Sequence, residues 1–341
     1  MRIFSGIQPT GTKHLGNYSG GFRQYAATQE EGDAFFCIVD LHSITVDYDP
    51  ESLRRSTLDL AAMLFATGLD PDRSTVFVQS HVTAHPEAAW LLSAVTSYGQ
   101  LGRMTQFKEK RERQEFVSAG LFTYPVLMAG DILLYQTDVV PIGDDQRQHL
   151  ELARDVAERF NARFGETFVV PEGRYPELGA RIMDLQEPGS KMATTGGTTQ
   201  GTVLIVDPPD VIRRKFKSAV TDSGREVRHD RERKPGVANL IEIMSVASGE
   251  SIAAIESRYD GAGYGQFKED VGETVVALLT PIRERYEALR ADARELQRLL
   301  ALGAEKARKA SEPTLERMYD VMGFVKSQSG RHFGAARPRG L

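Results

Sequence analysis

In the first half of the chain, short β-branched or aromatic runs alternate with stretches whose apolar residues recur at helical spacing. The runs at 2–5, 34–39, 75–79 and 138–142 predict strands, and the stretches at 17–30, 50–67, 86–98, 121–136 and 145–164 predict helices. Strands separated by helices imply crossovers, so the pattern predicts an α/β fold: a Rossmann-like, doubly wound parallel sheet covered by helices on both faces. Ligands of such sheets bind beyond the carboxyl ends of the strands. The Gly/Thr-rich stretch 187–201 marks a junction, and the pattern beyond it is helical at 209–220, 236–247, 251–259, 264–301 and 302–324. The last residues, 330–341, read as a basic, frayed tail. The expected division is a sheet domain at 1–186, a loop at 187–201, a smaller all-helical domain at 202–290 and C-terminal helices at 291–341.

Composition narrows this picture only a little. An apolar content of 41% suffices for a core, and no apolar run approaches the length of a membrane span. We therefore expect no membrane association and, since the chain opens on a strand, no signal or transit peptide. The one cysteine, Cys37, sits in the apolar run Phe35-Phe36-Cys37-Ile38-Val39. It reads as an inert core residue in a reducing compartment, hence a cytoplasmic location, and it excludes an all-cysteine metal site within one chain. A net charge of −5 confines any nucleic-acid surface to a local patch. Candidates are Arg213-Arg214-Lys215-Phe216-Lys217 and, after it, Arg225, Arg228, Arg231, Arg233 and Lys234; each alone reads as a solvated charge.

The strongest chemical signal is Gly6-Ile7-Gln8-Pro9-Thr10-Gly11-Thr12-Lys13-His14-Leu15-Gly16-Asn17, a turn between the first strand and the first helix. Pro9 and Gly11 punctuate it, and Gly16 permits close backbone approach. Helix-end amides, with His14 and Asn17 as side-chain donors, make a surface suited to a polyphosphate. The plain alternative is that His14 or Asn17 caps the helix. A cap needs one polar residue, and this turn supplies several convergent ones.

A second signal is one carboxylate, Asp131, on an apolar helix where Tyr124, Leu127, Met128, Asp131 and Tyr135 share a face. A carboxylate there requires hydrogen-bond donors. On helix physics alone, a backbone amide or an arginine from a neighbouring element satisfies it as readily as a ligand.

The string at 6–17 resembles the HIGH signature of class I aminoacyl-tRNA synthetases, in the G-x-Q-P-T/S-G-x-x-H-x-G-N form of the tryptophanyl branch, with Asn17 at the second histidine. The resemblance runs over nearly the whole chain. It implies activation of L-tryptophan with ATP and transfer to tRNA(Trp). Asp131 would then accept a hydrogen bond from the indole N–H, with Phe4, Met128, Ile132 and Val140 lining the slot. Gln8, His42, Tyr124 and Gln146 would hold the polar end of the amino acid. His14 and Asn17 would contact the phosphates, and Gln8, Pro9, Thr10 and Gly16 would wall the nucleotide. In Gly143-Asp144-Asp145-Gln146, the resemblance sends Gly143 and Asp145 to the ribose, with Asp144 beside them. An ordinary N-cap by either aspartate is compatible with that. Ile182 matches a position whose backbone meets adenine.

Lys191-Met192-Ala193-Thr194-Thr195 sits where the family carries its KMSKS loop, but Ala193 and Thr194 replace the first serine and second lysine. Losing one preorganised charge contact of this kind costs roughly 100- to 1,000-fold in rate. Lys110, at a phosphate-reaching position of the family, is expected to share that charge with Lys191, whereas Lys108 reads as solvated. Mg²⁺ would arrive on the ATP, with no permanent protein-bound metal. The resemblance further implies anticodon contact by the helical domain, C-terminal helices packed back on the sheet domain, and a homodimer. Three other readings stay open: a tyrosyl-tRNA synthetase, an auxiliary or regulatory synthetase paralogue with weak catalysis, and a nucleotidyltransferase of the same superfamily without tRNA.

Overall fold

The computed structural model describes residues 1–112, 116–143, 146–175, 181–194 and 196–325, without the Lys110 side chain. Its sheet contains β1 (Arg2–Ile7), β2 (Asp33–Ile38), β3 (Ser74–Val78), β4 (Val139–Pro141) and β5 (Glu172–Arg174). All pairings are parallel and the order is β3-β2-β1-β4-β5. Four strands follow the predicted runs, whereas the three-residue edge strand β5 was not predicted. Glu172-Gly173-Arg174 has no apolar alternation, and only pairing with β4 makes it a strand. In β2, Ala34, Phe36 and Ile38 join the core on one face while Phe35 and Cys37 join the core on the other. This period of two explains why a doubly covered strand reads as one continuous apolar run.

Helices α1 (Leu15–Asn17), α2 (Arg23–Thr28), α3 (Asp40–Ser43), α4 (Pro50–Ala66), α5 (Ala84–Ser93), α6 (Tyr98–Arg103) and α7 (Thr105–Arg111) precede β4. So does α8 (Ala119–Leu133), and α9 (Arg147–Phe164) follows β4. The predicted helix at 17–30 is interrupted by a π-type turn over Tyr18–Phe22, and that at 86–98 ends at Ser93.

The helical part holds α10 (Pro209–Lys217), α11 (Pro235–Ser248), α12 (Ile252–Arg258), α13 (Tyr264–Ala291) and α14 (Ala293–Met322). Asp292 separates the last two by capping α14 through the Glu295 amide, which divides the helix predicted at 264–301. Helix α13 packs on α10, α11 and α4, and α14 packs on β3 and α5. At the latter contact a Cβ on Gly303 would lie 1.8 Å from the Val76 carbonyl oxygen, so only glycine allows α14 so close. The cores of sheet and helical part are continuous, with Ile38 and Val78 in the same cluster as Phe216, Val237 and Val275. No single helix among the described residues is long and apolar enough to cross a membrane.

Candidate active site

The strand order reverses between β1 and β4, where the first crossovers run one way and the last the other. Such a switch point opens a crevice at the carboxyl edge of the sheet. A cavity of about 260 Å³ lies there, below the roughly 300–1,000 Å³ typical of drug-sized ligands and of a scale for one amino acid. Its walls include all nine residues expected around the amino acid: Phe4, Gln8, His42, Tyr124, Met128, Asp131, Ile132, Val140 and Gln146. Gly6, Val39, Gln106, Pro141 and Ile142 complete it.

Asp131 is 1% exposed. Its Oδ1 accepts from Gln79 Nε2 at 2.6 Å and pairs with His85 Nδ1 at 2.6 Å, while Oδ2 pairs with His42 Nε2 at 2.8 Å. Burial by itself would raise this carboxyl, but the hydrogen bonds and charge of His42 and His85 hold it well below the usual carboxylate range. Asp131 is therefore an ionised acceptor. The donors expected from a backbone amide or an arginine are instead two imidazoles and an amide. Tyr124, pushed up to about 12 by burial, stays neutral and pairs its hydroxyl with His149 Nε2 at 2.8 Å and with Gln106 at 3.3 Å. Tyr135, expected on the same face, lies past the end of α8 and is buried behind the cavity, where it meets His85. Cys37 is fully buried, and burial pushes its thiol up, as do Asp131 and Asp40.

The turn after β1 caps its helix from within. His14 is the N-cap: its Nδ1 accepts from the Gly16 amide at 3.1 Å, and its own amide donates to Asn17 Oδ1 at 3.0 Å. Gly16 suits this place, because a Cβ would sit only 3.0 Å from the His14 ring, which would have to give way slightly. The Leu15 and Asn17 amides donate to the Val203 and His14 carbonyls. The free helix-end amides expected for an anion are thus already used, which corrects that part of the sequence reading. What remains for a phosphate is on the side chains. An Nδ1 that accepts leaves the proton on Nε2, and Asn17, whose oxygen is taken, presents its NH₂. Burial first, then the charges of Lys191 and Lys13, bring His14 down to about 4, so the neutral ring is the working form.

The loop at 187–201 meets this turn. Thr194 Oγ1 lies 3.4 Å from where a Gly11 Cβ would be, and Lys191 is close enough to act on His14 electrostatically. Met192 and Ile182 are core residues joined by Met192 N–H to Ile182 O at 3.1 Å, and Lys191 is exposed. Asp184, which the sequence did not reveal, ties the loop together. Its carboxylate accepts from the Gln186 and Glu187 amides at 2.8 and 3.1 Å, and from the Thr198 amide and hydroxyl at 3.1 and 2.9 Å. Ala193 O accepts from Thr202 Oγ1 at 2.9 Å.

Gly143 is exposed and accepts the Gln146 amide at 3.0 Å, and Gln146, not an aspartate, occupies the N-cap position of α9. Asp144, Asp145 and Thr195 lie outside the described residues. For Lys110 only its position on α7 is described.

The basic run at 213–217 is not the free cluster its sequence suggests. Lys215 is buried, donating to Asp207 Oδ2 and the Thr202 carbonyl at 2.7 Å each, both in the segment that leads into α10. Arg213 is bidentate to Glu273, and Arg214 pairs with Asp210. Downstream, Arg231 and His229 share buried Glu242, and Lys234 pairs with Asp222.

The family model described as tRNA synthetases class I (W and Y) matches residues 1–280. The tryptophan–tRNA ligase of Leifsonia xyli subsp. xyli is 53% identical over 95% of this chain and 97% of its own length. That of Caldanaerobacter subterraneus subsp. tengcongensis is 50% identical over 95% and 98%. The crystal structure of Campylobacter jejuni tryptophanyl-tRNA synthetase complexed with ADP and tryptophan superposes with a TM-score of 0.83, at 36% identity over 95% of this chain and all of that one. A match over 95% of the chain at this identity, on a cavity at the switch point of a parallel sheet, leads to one statement: the chain belongs to the class I tRNA synthetases of the tryptophan and tyrosine group.

Proposed function

We infer that this chain is an ATP-dependent tryptophan–tRNA ligase. The observation that carries this is the cavity over β1 and β4, walled by Phe4, Met128, Ile132 and Val140 and lined as well by the ionised acceptor Asp131. Phe4, Met128, Ile132 and Val140 sandwich the indole, and its N–H donates to Asp131. An aromatic side chain without a donor would leave one acceptor position of that buried carboxylate unfilled, at a cost of about 1–3 kcal/mol, or roughly 5- to 150-fold. Gln8, His42, Tyr124 and Gln146 orient the ammonium and carboxylate ends.

In the first step the tryptophan carboxylate attacks the α-phosphorus of ATP in line, and the bond to pyrophosphate breaks. In the second, a ribose hydroxyl of tRNA attacks the acyl carbon, and AMP leaves. Neither step requires a covalent enzyme nucleophile, so positioning and charge carry catalysis. ATP enters with Mg²⁺ as substrate. Neutral His14 donates Nε2–H to a phosphate oxygen and Asn17 donates its NH₂. Pro9, Thr10 and Gly16 shape the nucleotide wall, and Gly143, Asp144 and Asp145 serve the ribose. Ile182 and Met192 serve the adenine side, and Ala193, Thr194 and Thr195 contact the ATP. Lys191 and Lys110 supply the phosphate charge that Thr194 cannot.

The same reading makes residues 1–186 the catalytic domain, 187–201 the KMSKS-like loop at the junction, 202–290 the anticodon-binding part and 291–341 the C-terminal helices. It also makes the protein a cytoplasmic homodimer. Supporting the dimer, Trp90, Tyr98 and Phe116 are each about four-fifths exposed, at 79%, 80% and 80%. Pyrophosphate exchange with ATP and each aromatic amino acid tests the assignment. Exchange with tryptophan is expected, and exchange with tyrosine alone would overturn it. An auxiliary synthetase with weak catalysis remains the second reading, favoured by Ala193 and Thr194 in the loop.

A further inference from the structure

Behind Asp131, on the side away from the cavity, lies a chain of buried polar groups that binding of substrate does not by itself require. Gln79 follows β3 and His85 stands in the first turn of α5, and both are 0% exposed. The Gln79 amide is oriented by its oxygen, which accepts the Leu41 backbone N–H at 3.1 Å, so Nε2 must be the atom that donates to Asp131 Oδ1. His85 reaches the same oxygen with Nδ1 at 2.6 Å, and its Nε2 meets the Tyr135 hydroxyl at 2.9 Å. An ionised carboxylate only accepts, so Nδ1 carries the proton and Nε2 takes the Tyr135 O–H. Gly130 faces α5 closely: a Cβ there would make a tight 3.3 Å contact with the Ala89 nitrogen and an ordinary one of 3.5 Å with the His85 carbonyl oxygen.

A carboxylate has about four acceptor positions. Two donors on Oδ1 fill that oxygen, and His42 takes one position on Oδ2, which leaves Oδ2 alone with capacity to spare among the described residues. We propose that His85 is a positioning residue for amino-acid recognition: with Gln79 it saturates Oδ1 and fixes the carboxylate plane, so that the one open acceptor position, on Oδ2, faces the indole N–H. Tyr135 in turn fixes the His85 tautomer. The proposal rests on the reading of Asp131 as the indole acceptor.

The test pairs variants of His85 with two substrates, tryptophan and β-(3-benzothienyl)alanine, in which sulfur replaces the indole N–H. Asparagine at 85 sets an amide near the place of Nδ1 and glutamine sets it near the place of Nε2. In pyrophosphate exchange, His85→Leu and His85→Gln are expected to raise KM for tryptophan by roughly 10- to 100-fold. KM for ATP and for the benzothienyl analogue should change little, so the preference for tryptophan shrinks by the same factor. His85→Asn should stay within about threefold of the parent, since it keeps a donor to Oδ1. If the parent enzyme does not prefer tryptophan over the analogue, the indole reading of Asp131 itself falls. If the parent prefers tryptophan but the His85→Leu enzyme keeps the full preference, or the Asn and Gln variants behave alike, the role given to His85 is overturned. The Asn and Gln comparison decides the matter even if His85→Leu fails to fold.

Discussion

His14 caps a helix with one ring nitrogen and is read as a phosphate donor with the other, so a single substitution separates the two tasks. His14→Asn keeps an acceptor two bonds from Cβ, near the place of Nδ1, where it still takes the Gly16 amide. Asparagine is among the best N-caps, so the cap should lose no more than about 0.5 kcal/mol. The Nε2–H has no counterpart in asparagine. Removal of one preorganised donor at a developing charge costs roughly 100- to 1,000-fold in rate, or about 2.7–4 kcal/mol. Pyrophosphate exchange should fall by that factor while the thermal midpoint hardly moves.

The pH dependence of stability gives an internal check. His14 titrates near 4 in the folded chain against an ordinary 6.5. As pH falls, the unfolded chain therefore takes up the proton first. Stability from the neutral ring is complete above about 6.5 and is lost between about 6.5 and about 4, an effect on the order of 2 kcal/mol. The asparagine variant should lack that component. Exchange activity within threefold of the parent would refute the donor role.

Further outcomes follow from the loop and the surface. Thr194→Lys should raise the rate of tryptophan activation, by up to about 100-fold, because Thr194 abuts Gly11 of the phosphate turn; no change or a fall in exchange rate would mean that other groups already supply the charge. Asp184→Asn turns one acceptor into a donor facing the Gln186, Glu187 or Thr198 amides. It should cost about 1–3 kcal/mol in chemical unfolding and raise KM for ATP more than KM for tryptophan, and equal effects on the two would dissociate Asp184 from the nucleotide loop. Trp90→Glu should convert a dimer to a monomer in sedimentation, and an unchanged mass would remove the exposed aromatics from the interface.

The readable parts of this chain were those whose physics is local. Strands β1 to β4 are covered on both faces and so appear as apolar runs, while β5 is three polar residues that only a neighbouring strand organises. Asp131 was conspicuous as a lone carboxylate on an apolar helix, and the cavity collects every residue expected with it. Its partners Gln79 and His85 were not, since they come from separate elements: Gln79 from the end of β3, and His85 through the packing of α5 on α8. A polar residue closing the run at 75–79 was a usable hint. His85 fell one residue before the helix predicted from Pro86, whereas α5 starts at Ala84. Lys215 shows the converse failure: its sequence neighbours are basic, and only the fold of the segment before α10, which brings Asp207 and the Thr202 carbonyl to it, reveals that it is buried and paired. Asp184 likewise holds residues from 186 to 198, a closure that spacing along the chain does not announce.

The central claim is that the ionised Asp131 at the end of the β1–β4 cavity commits this enzyme to tryptophan and its tRNA. Charging of purified tRNA(Trp) and tRNA(Tyr) with each cognate amino acid measures it most directly. The account predicts tryptophanyl-tRNA(Trp) and no tyrosyl product. Tyrosyl-tRNA formation, or binding of tryptophan with no charging of either tRNA, would contradict it.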